Sequence, residues 1–180
     1  MAEDGPISEH KPSEAHWQLP AGIVLGSSWK RVAAFLLDQM LIMALLGLLT
    51  SGGILLAWDL SLLGGEYWWV LLLDWALIFC AHWLYHKYTC RWLGRSLAQR
   101  LFGLAIVSSD ATLLDRSLWG RRSAGKLRYL IPLLGQLWFA PRDLLLIHRR
   151  HTHQSSLDLA VGSTVVVADS LPRDSRLALK

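Results

Sequence analysis

Three charged side chains lie inside segments that are otherwise almost wholly apolar. Arg31 stands at the start of the first apolar run, Asp38 follows seven residues later, and Asp74 lies in the middle of the second run. A carboxylate at the centre of a membrane-spanning helix costs roughly 2.5–3.5 kcal/mol on insertion scales, so it should face protein, water or a cation. These residues are candidates either for a polar network that locks helices together or for a cation or proton path.

Arg31 and Asp38 are expected on the same side of one helix. Seven residues are nearly two turns, and a rise of about 1.5 Å per residue separates the two positions by about 10 Å along the axis. Because the side chains cannot touch at that distance, Asp38 needs another partner. Arg128 and Arg142, from a third apolar stretch, are the partners to test first.

Histidines and a cysteine recur every four residues in the second apolar run and its flank, at His82, His86 and Cys90. This spacing places three possible metal ligands on one helix face. Three residues along a straight face span more than about 10 Å, so at most two neighbours could share an ion. We predict no metal site and keep these residues as candidates. A second histidine group lies in a basic loop, where lipid head groups are the expected partners: His148, His151 and His153.

Catalytic patterns are missing from the sequence. There is no phosphate-binding glycine loop, and the Gly94-Arg95-Ser96 triplet lacks the spacing of a nucleophile elbow. No histidine, nucleophile and carboxylate combination stands out. We therefore expect no enzymatic activity and no cofactor.

The composition suits a protein that lies in lipid. Hydrophobic residues make up 53% of the chain and charged residues only 18%, below the roughly 25% of an average soluble domain. The net charge is +4, and the basic residues lie beside the apolar runs, where they would face anionic lipids rather than nucleic acid. Residues 1–20 are polar and do not resemble a secretory signal peptide.

Two apolar runs, at about residues 32–57 and 67–86, are long enough to cross a bilayer. Lys30 and Arg31 precede the first run and Lys87 follows the second, whereas the connecting turn at residues 59–66 has no lysine or arginine. Basic residues are retained on the cytoplasmic side of membranes. The pattern therefore predicts two transmembrane helices with both ends of the chain in the cytoplasm.

The third apolar stretch, at about residues 127–147, differs from the first two. It contains Arg128, Pro132 and Arg142, and basic clusters flank it on both sides. A single crossing would leave one cluster outside. We predict a broken helix that re-enters or lies at the membrane interface.

Short runs at residues 101–108 and 163–168 have the composition of strands. If they pair, they form a small cytoplasmic, hairpin-like sheet. The predicted fold class is therefore a mainly α integral membrane protein with one membrane domain at residues 29–168. Residues 1–28 are expected to be a disordered cytoplasmic tail and residues 169–180 a second tail.

Three ordered segments resemble the RDD family of membrane proteins, named for one arginine and two aspartates. They are WKRVAAFLLD at residues 29–38, LGRSLAQRLFGL at residues 93–104 and LDLAVGSTVVV at residues 157–167. The resemblance implies that Arg31, Asp38 and Asp158 are the charged residues of the family. Leu157 stands where the family often has histidine, and Ser163 is an extra residue after Gly162. Asp74 is not part of the pattern.

The family has no agreed activity, so the resemblance leaves two hypotheses. The first is a small accessory or assembly subunit of a bacterial inner-membrane complex, in which Arg31, Asp38 and Asp158 form a polar network that fixes the fold. The second is an oligomeric cation/proton antiporter that uses Asp38 and Asp74. Two spans cannot easily enclose a pore, which favours the first. The expected partners are membrane lipids and other membrane subunits or further copies of the chain, without nucleic acid.

Overall fold

A computed structural model describes residues 19–179 as a mainly helical protein with one small sheet. The helices are α1 (Ser28–Leu49), α2 (Trp68–Leu93), α3 (Leu97–Leu101), α4 (Leu118–Lys126), α5 (Ala140–Arg149), α6 (Ser156–Val161) and α7 (Arg173–Ala178), and the strands are β1 (Leu104–Val107) and β2 (Thr164–Val167). Single turns of 3₁₀ or π helix join several of these elements.

Helices α1 and α2 have the length and apolar content needed to cross a membrane. They contain 22 and 26 residues with mean hydropathies of 2.2 and 1.4. Helix α1 ends at Leu49 rather than near residue 57, because the chain turns at Gly52 (φ +86°) into the 3₁₀ helix Gly53–Trp58. That turn packs Ile54 between the two long helices. Helix α2 continues past residue 86 to Leu93, where Gly94 ends it in a left-handed conformation.

The third apolar stretch is broken, as the sequence predicted. Its first limb is α4 with the 3₁₀ turn Leu127–Leu130, its second limb runs from Gly135 through α5, and the limbs meet at 106°. The first limb begins earlier than predicted, at residue 118. A Cβ at Gly135 would lie 2.3 Å from the carbonyl oxygen of Tyr129, so the bend needs glycine at this close approach.

The two predicted strands pair antiparallel, from Leu104 opposite Val167 to Val107 opposite Thr164. They are not a hairpin, because helices α4 to α6 lie between them in the chain. Both faces of the sheet are covered. Leu104 and Ile106 point to one cluster, formed with α1, α4 and α6, while Ala105 and Val107 point to a second.

The second cluster changes the prediction of two free tails. Gly26 donates a backbone hydrogen bond to Val165 (2.9 Å), and the segment at residues 19–25 packs on the sheet together with Leu171 and Leu179. Residues 19–28 and 169–179 are therefore parts of the fold, because the outer face of the sheet carries the apolar side chains Ala105, Val107 and Val166 and is covered by these segments. Residues 1–18 of the predicted disordered tail lie outside the described residues.

Candidate functional site

Arg31 joins three separate segments of the chain. Its Nε donates to the carbonyl of Gly26 (3.1 Å), and its two terminal nitrogens donate to the carbonyls of His153 (2.6 Å) and Val165 (2.8 Å). These acceptors lie in the amino-terminal segment, in the loop after α5 and in β2. The first turn of α1 is thereby attached to the sheet by charge-assisted bonds, which are stronger than neutral ones.

Asp158 lies in the first turn of α6, where it forms a capping box with Ser155. Its Oδ2 accepts from the backbone N–H of Ser155 (3.1 Å) and from the Ser155 hydroxyl (2.9 Å). Its Oδ1 lies 2.6 Å from Nη1 of Arg122, and its Oδ2 lies 3.6 Å from Nη1 of Arg31. The carboxylate is only 2% exposed, so its two arginines are what makes burial of the charge tolerable.

Arg122, on α4, was missed by the sequence interpretation. Besides its ion pair with Asp158, its Nη1 donates to the hydroxyl of Ser163 (2.5 Å). Ser163 is the extra residue of the closing motif, and it is fully buried. The sequence offered no signal for this pair, because Arg122 reaches Asp158 only through the packing of α4 against α6.

The environment of Asp158 lowers the pKa of its carboxyl group. Burial by itself raises the pKa, but the charges of Arg122 and Arg31 and the hydrogen bond from Ser155 lower it by more. Asp158 is therefore ionised at neutral pH.

Asp38 is buried against α2 and α3. Its Oδ1 accepts from the hydroxyl of Tyr85 (2.5 Å) and from the backbone N–H of Ala98 (3.2 Å). No lysine, arginine or histidine nitrogen within residues 19–179 lies within ion-pair distance of it. Asp38 thus holds three helices together by hydrogen bonds, and its partner is a phenol rather than a cation.

The arginines proposed as partners of Asp38 lie elsewhere. Arg128 pairs with Asp143, which also accepts from the hydroxyl of Tyr129, and Arg142 is exposed. The cause is the 106° bend of the third segment, which folds α5 back against the end of the first limb. The bend brings Asp143 of α5 to Arg128.

Asp74 does not belong to the same cluster. It is half-buried, and its Oδ2 has no hydrogen-bond partner within residues 19–179. Along α2 it precedes Tyr85 by eleven residues, which is about 16 Å along the helix axis. The structure therefore separates Asp38 and Asp74, the two carboxylates of the long apolar helices that the transport hypothesis pairs.

His82, His86 and Cys90 lie on the buried face of α2. Nδ1 of His82 lies 2.7 Å from the carbonyl oxygen of Ile78, and Nδ1 of His86 lies 3.3 Å from Nζ of Lys126. The part of the chain that the structure describes contains no group of three side chains able to hold a metal ion. The four-residue repeat lies on the face of α2 that packs against α4.

A cavity of about 300 Å³ brings Arg31, Asp38 and Asp158 together. It lies between α1 and the bent third segment, and Arg122 and Lys126 complete its charged wall. The other lining residues are mainly apolar: Val32, Phe35, Leu36, Gln99, Tyr129, Gln136, Ala140, Asp143, Leu144, Ile147, Ser155, Leu157 and Val165. The charged residues of the sequence motifs thus converge on one site although they lie in distant parts of the chain.

The model of the RDD family matches residues 25–160, which is most of the chain. The chain belongs to the RDD family. A search of curated proteins and a search of solved structures gave no match. Arg31, Asp38 and Asp158 of this RDD protein all fall within the matched residues, so the resemblance that the three motifs indicated is confirmed.

Replacing Asp158 by asparagine should destabilise the RDD fold by about 3–5 kcal/mol, because Arg122 and Arg31 would keep their buried charges without a counter-charge. Thermal or denaturant unfolding of the purified protein in detergent measures this loss. Asp169→Asn is the matched control, since Asp169 is exposed and its replacement should change stability by less than about 0.5 kcal/mol. Equal stability of the two variants would show that the buried ion pairs contribute nothing net.

The lowered pKa of Asp158 also predicts a pH dependence. Its contribution to stability is complete above the pKa of an unfolded aspartate, about 3.9, and is lost as the pH falls through the lower pKa of the folded state. The melting temperature of the wild type should therefore fall more steeply below about pH 4 than that of Asp158→Asn. Parallel curves over this range would contradict the assignment.

Proposed function

We propose that this RDD protein is an accessory or assembly subunit of a bacterial inner-membrane complex. The observation that carries the proposal is the use made of the signature side chains. Arg31 donates hydrogen bonds to three backbone carbonyls. Asp158 forms a capping box and ion pairs with two arginines. Asp38 accepts hydrogen bonds from Tyr85 and Ala98. Side chains satisfied in this way stabilise a scaffold.

The membrane location rests on α1 and α2. At about 1.5 Å per residue both helices exceed the roughly 30 Å hydrocarbon core, and their exposed side chains are mostly apolar: Leu36, Met40, Leu41, Leu45, Leu48, Leu72, Leu73 and Leu77. Lys30 and Arg31 at one end, Lys87 and Arg91 at the other, and a connecting turn without cations support an orientation with both ends in the cytoplasm.

The bent third segment fits a re-entrant or interfacial placement. At its bend the exposed side chains are mostly apolar and include Leu133, Leu137 and Trp138, whereas Arg121 and Arg149 lie towards its two ends. An apolar tip between two basic ends dips into a bilayer and returns to the same side. The sheet and both ends of the chain would then share the cytoplasmic side.

The small number of candidate spans supports the proposed role as a subunit. Within residues 19–179 only α1 and α2 meet the length and hydropathy of a complete span, or three segments if the bent pair counts as one. So few helices do not enclose a polar path, but they offer long apolar faces. Other membrane subunits or further copies of the chain would pack on those faces.

Cation/proton exchange by an oligomer remains the second candidate, and one observation favours it. Asp38 lines the cavity without a cation within ion-pair distance among the described residues, and an ionisable carboxylate in such a position can bind and release an ion. The separation of Asp74 from this cavity argues against the two-carboxylate form of the mechanism.

The proposed orientation is tested with single cysteines. In a chain with Cys80→Ser and Cys90→Ala, a membrane-impermeant maleimide should label Arg149→Cys in inside-out vesicles only. The matched variant Ser61→Cys, in the connecting turn, should be labelled from the opposite side only. Both residues are exposed, so access to the reagent depends on the side of the membrane. Labelling of Arg149→Cys from the outside would contradict the returning third segment.

The two candidate functions separate at Asp38. Asp38→Asn keeps an oxygen that accepts from Tyr85 and Ala98, so a structural role predicts near wild-type stability and retention of any copurifying complex. Asp38→Leu removes both bonds and should cost about 2–4 kcal/mol through two unsatisfied donors. Melting in detergent and the composition of the purified complex measure these effects. Sodium-driven proton flux in reconstituted vesicles that disappears in a stably folded Asp38→Asn protein would instead establish the exchanger.

A further inference from the structure

The cavity beside α1 contains a cation without a partner of opposite charge. Lys126 lines the cavity, forms no ion pair within residues 19–179, and has its Nζ 3.3 Å from the imidazole Nδ1 of His86. Lys126 is half-buried, and removing an ammonium group even partly from water costs free energy unless an anion compensates it. The site is therefore electrostatically incomplete at Lys126.

Arg122, which also lines the cavity, has a donor without a hydrogen bond. The Nε of Arg122 is buried without a hydrogen-bond partner among the described residues, although the side chain is only 4% exposed. The Nε atoms of Arg95 and Arg128 are unpaired in the same way, so the Nε of Arg122 supports a binding site only together with the cavity that Arg122 lines. Lys126 and Arg122 lie one turn apart on α4, which places both cations on one side of the cavity.

The carboxylates of the cavity wall do not supply the missing anion. Asp158 is shared by Arg31 and Arg122, and Asp143 is taken by Arg128. Asp38 is engaged by hydrogen bonds from α2 and α3. The charged groups at and beside the cavity thus include one more cation than carboxylate, namely Arg31, Arg122, Lys126 and Arg128 against Asp38, Asp143 and Asp158.

The mouth of the cavity is apolar. Val32 and Leu36 on α1 and Leu144 on α5 line it and remain 41%, 55% and 41% exposed. Cationic donors at the base and exposed aliphatic side chains at the rim match a ligand with an anionic head and hydrocarbon chains. The volume of about 300 Å³ admits a phosphate-bearing head group while the chains stay outside along α1.

We propose that this cavity binds the head group of an anionic phospholipid from the inner leaflet, with Lys126 and Arg122 as the phosphate donors. The proposal rests on the membrane location proposed above and is independent of the subunit role. Lipid bound here would link α1 to α4 and α5, the two limbs of the bent segment. Zwitterionic lipids also carry a phosphate, so the site should prefer anionic lipids only because of its one excess positive charge. Lys126 supplies this charge, and the preference should therefore depend on Lys126.

Native mass spectrometry of the full chain in detergent, titrated with phosphatidylglycerol or phosphatidylcholine, tests the site. The wild type should bind one phosphatidylglycerol about tenfold more tightly than phosphatidylcholine, since one charge-assisted bond is worth roughly that factor. Lys126→Gln should remove this preference. Arg121→Gln is the matched control, because it takes the same charge from an exposed position on α4 that does not line the cavity, and it should change affinity by less than about twofold.

A second variant keeps every charge in place. Ala140→Phe fills the mouth from α5, where Ala140 lines the cavity and is exposed, and it should weaken phosphatidylglycerol binding even if Lys126→Gln fails to fold. Equal losses in Lys126→Gln and Arg121→Gln, or unchanged binding in Ala140→Phe, would overturn the site. Inorganic phosphate that competes as strongly as the lipid would overturn the lipid as its ligand. The cysteine labelling above is unaffected by these outcomes, so failure of the site and failure of the membrane orientation are distinguishable.

Discussion

The structure depends on a buried cluster of one carboxylate and two guanidinium groups. Asp158 on α6 meets Arg122 on α4 and Arg31 on α1 in a region that is almost closed to solvent. Removing one member of such a cluster leaves an uncompensated buried charge. In the intact cluster the opposite charges compensate one another, but only when the three side chains lie in one particular arrangement. The first candidate span, the bent segment and the closing motif are thereby held in one arrangement.

The sheet extends this arrangement rather than standing apart from it. Arg31 donates to the carbonyl of Val165 in β2 and to that of Gly26, which itself lies against β2 through its backbone. The outer face of the sheet then needs an apolar cover, and both ends of the described chain supply it through Leu25 and Leu171. One charged side chain at the start of α1 thus determines where residues far apart in the sequence must pack.

The polar groups of the cavity divide into satisfied and unsatisfied ones, and this division carries the functional argument. Arg31, Asp38 and Asp158 have hydrogen-bond or ion-pair partners within the chain, which is the basis for the proposed structural role. Lys126 has an imidazole partner but no carboxylate partner within residues 19–179, and the Nε of Arg122 has no hydrogen bond there. The positive charge of Lys126 without a carboxylate partner is the basis of the lipid site proposed above.

The sequence by itself determined the two long apolar helices, the break in the third segment, the two short strands and the family, because length, hydropathy and prolines are local properties. It also identified Arg31, Asp38 and Asp158. Their partners were decided only by tertiary structure. Because of the 106° bend, Arg128 pairs with Asp143, and Asp38 accepts a hydrogen bond from Tyr85 instead of pairing with an arginine. Opposite charges in a sequence indicate which residues could form ion pairs, but which pairs form depends on the path of the backbone. For the same reason the roles of Arg122 and Lys126 follow only from the tertiary structure, in which α4 lines the same cavity as α1.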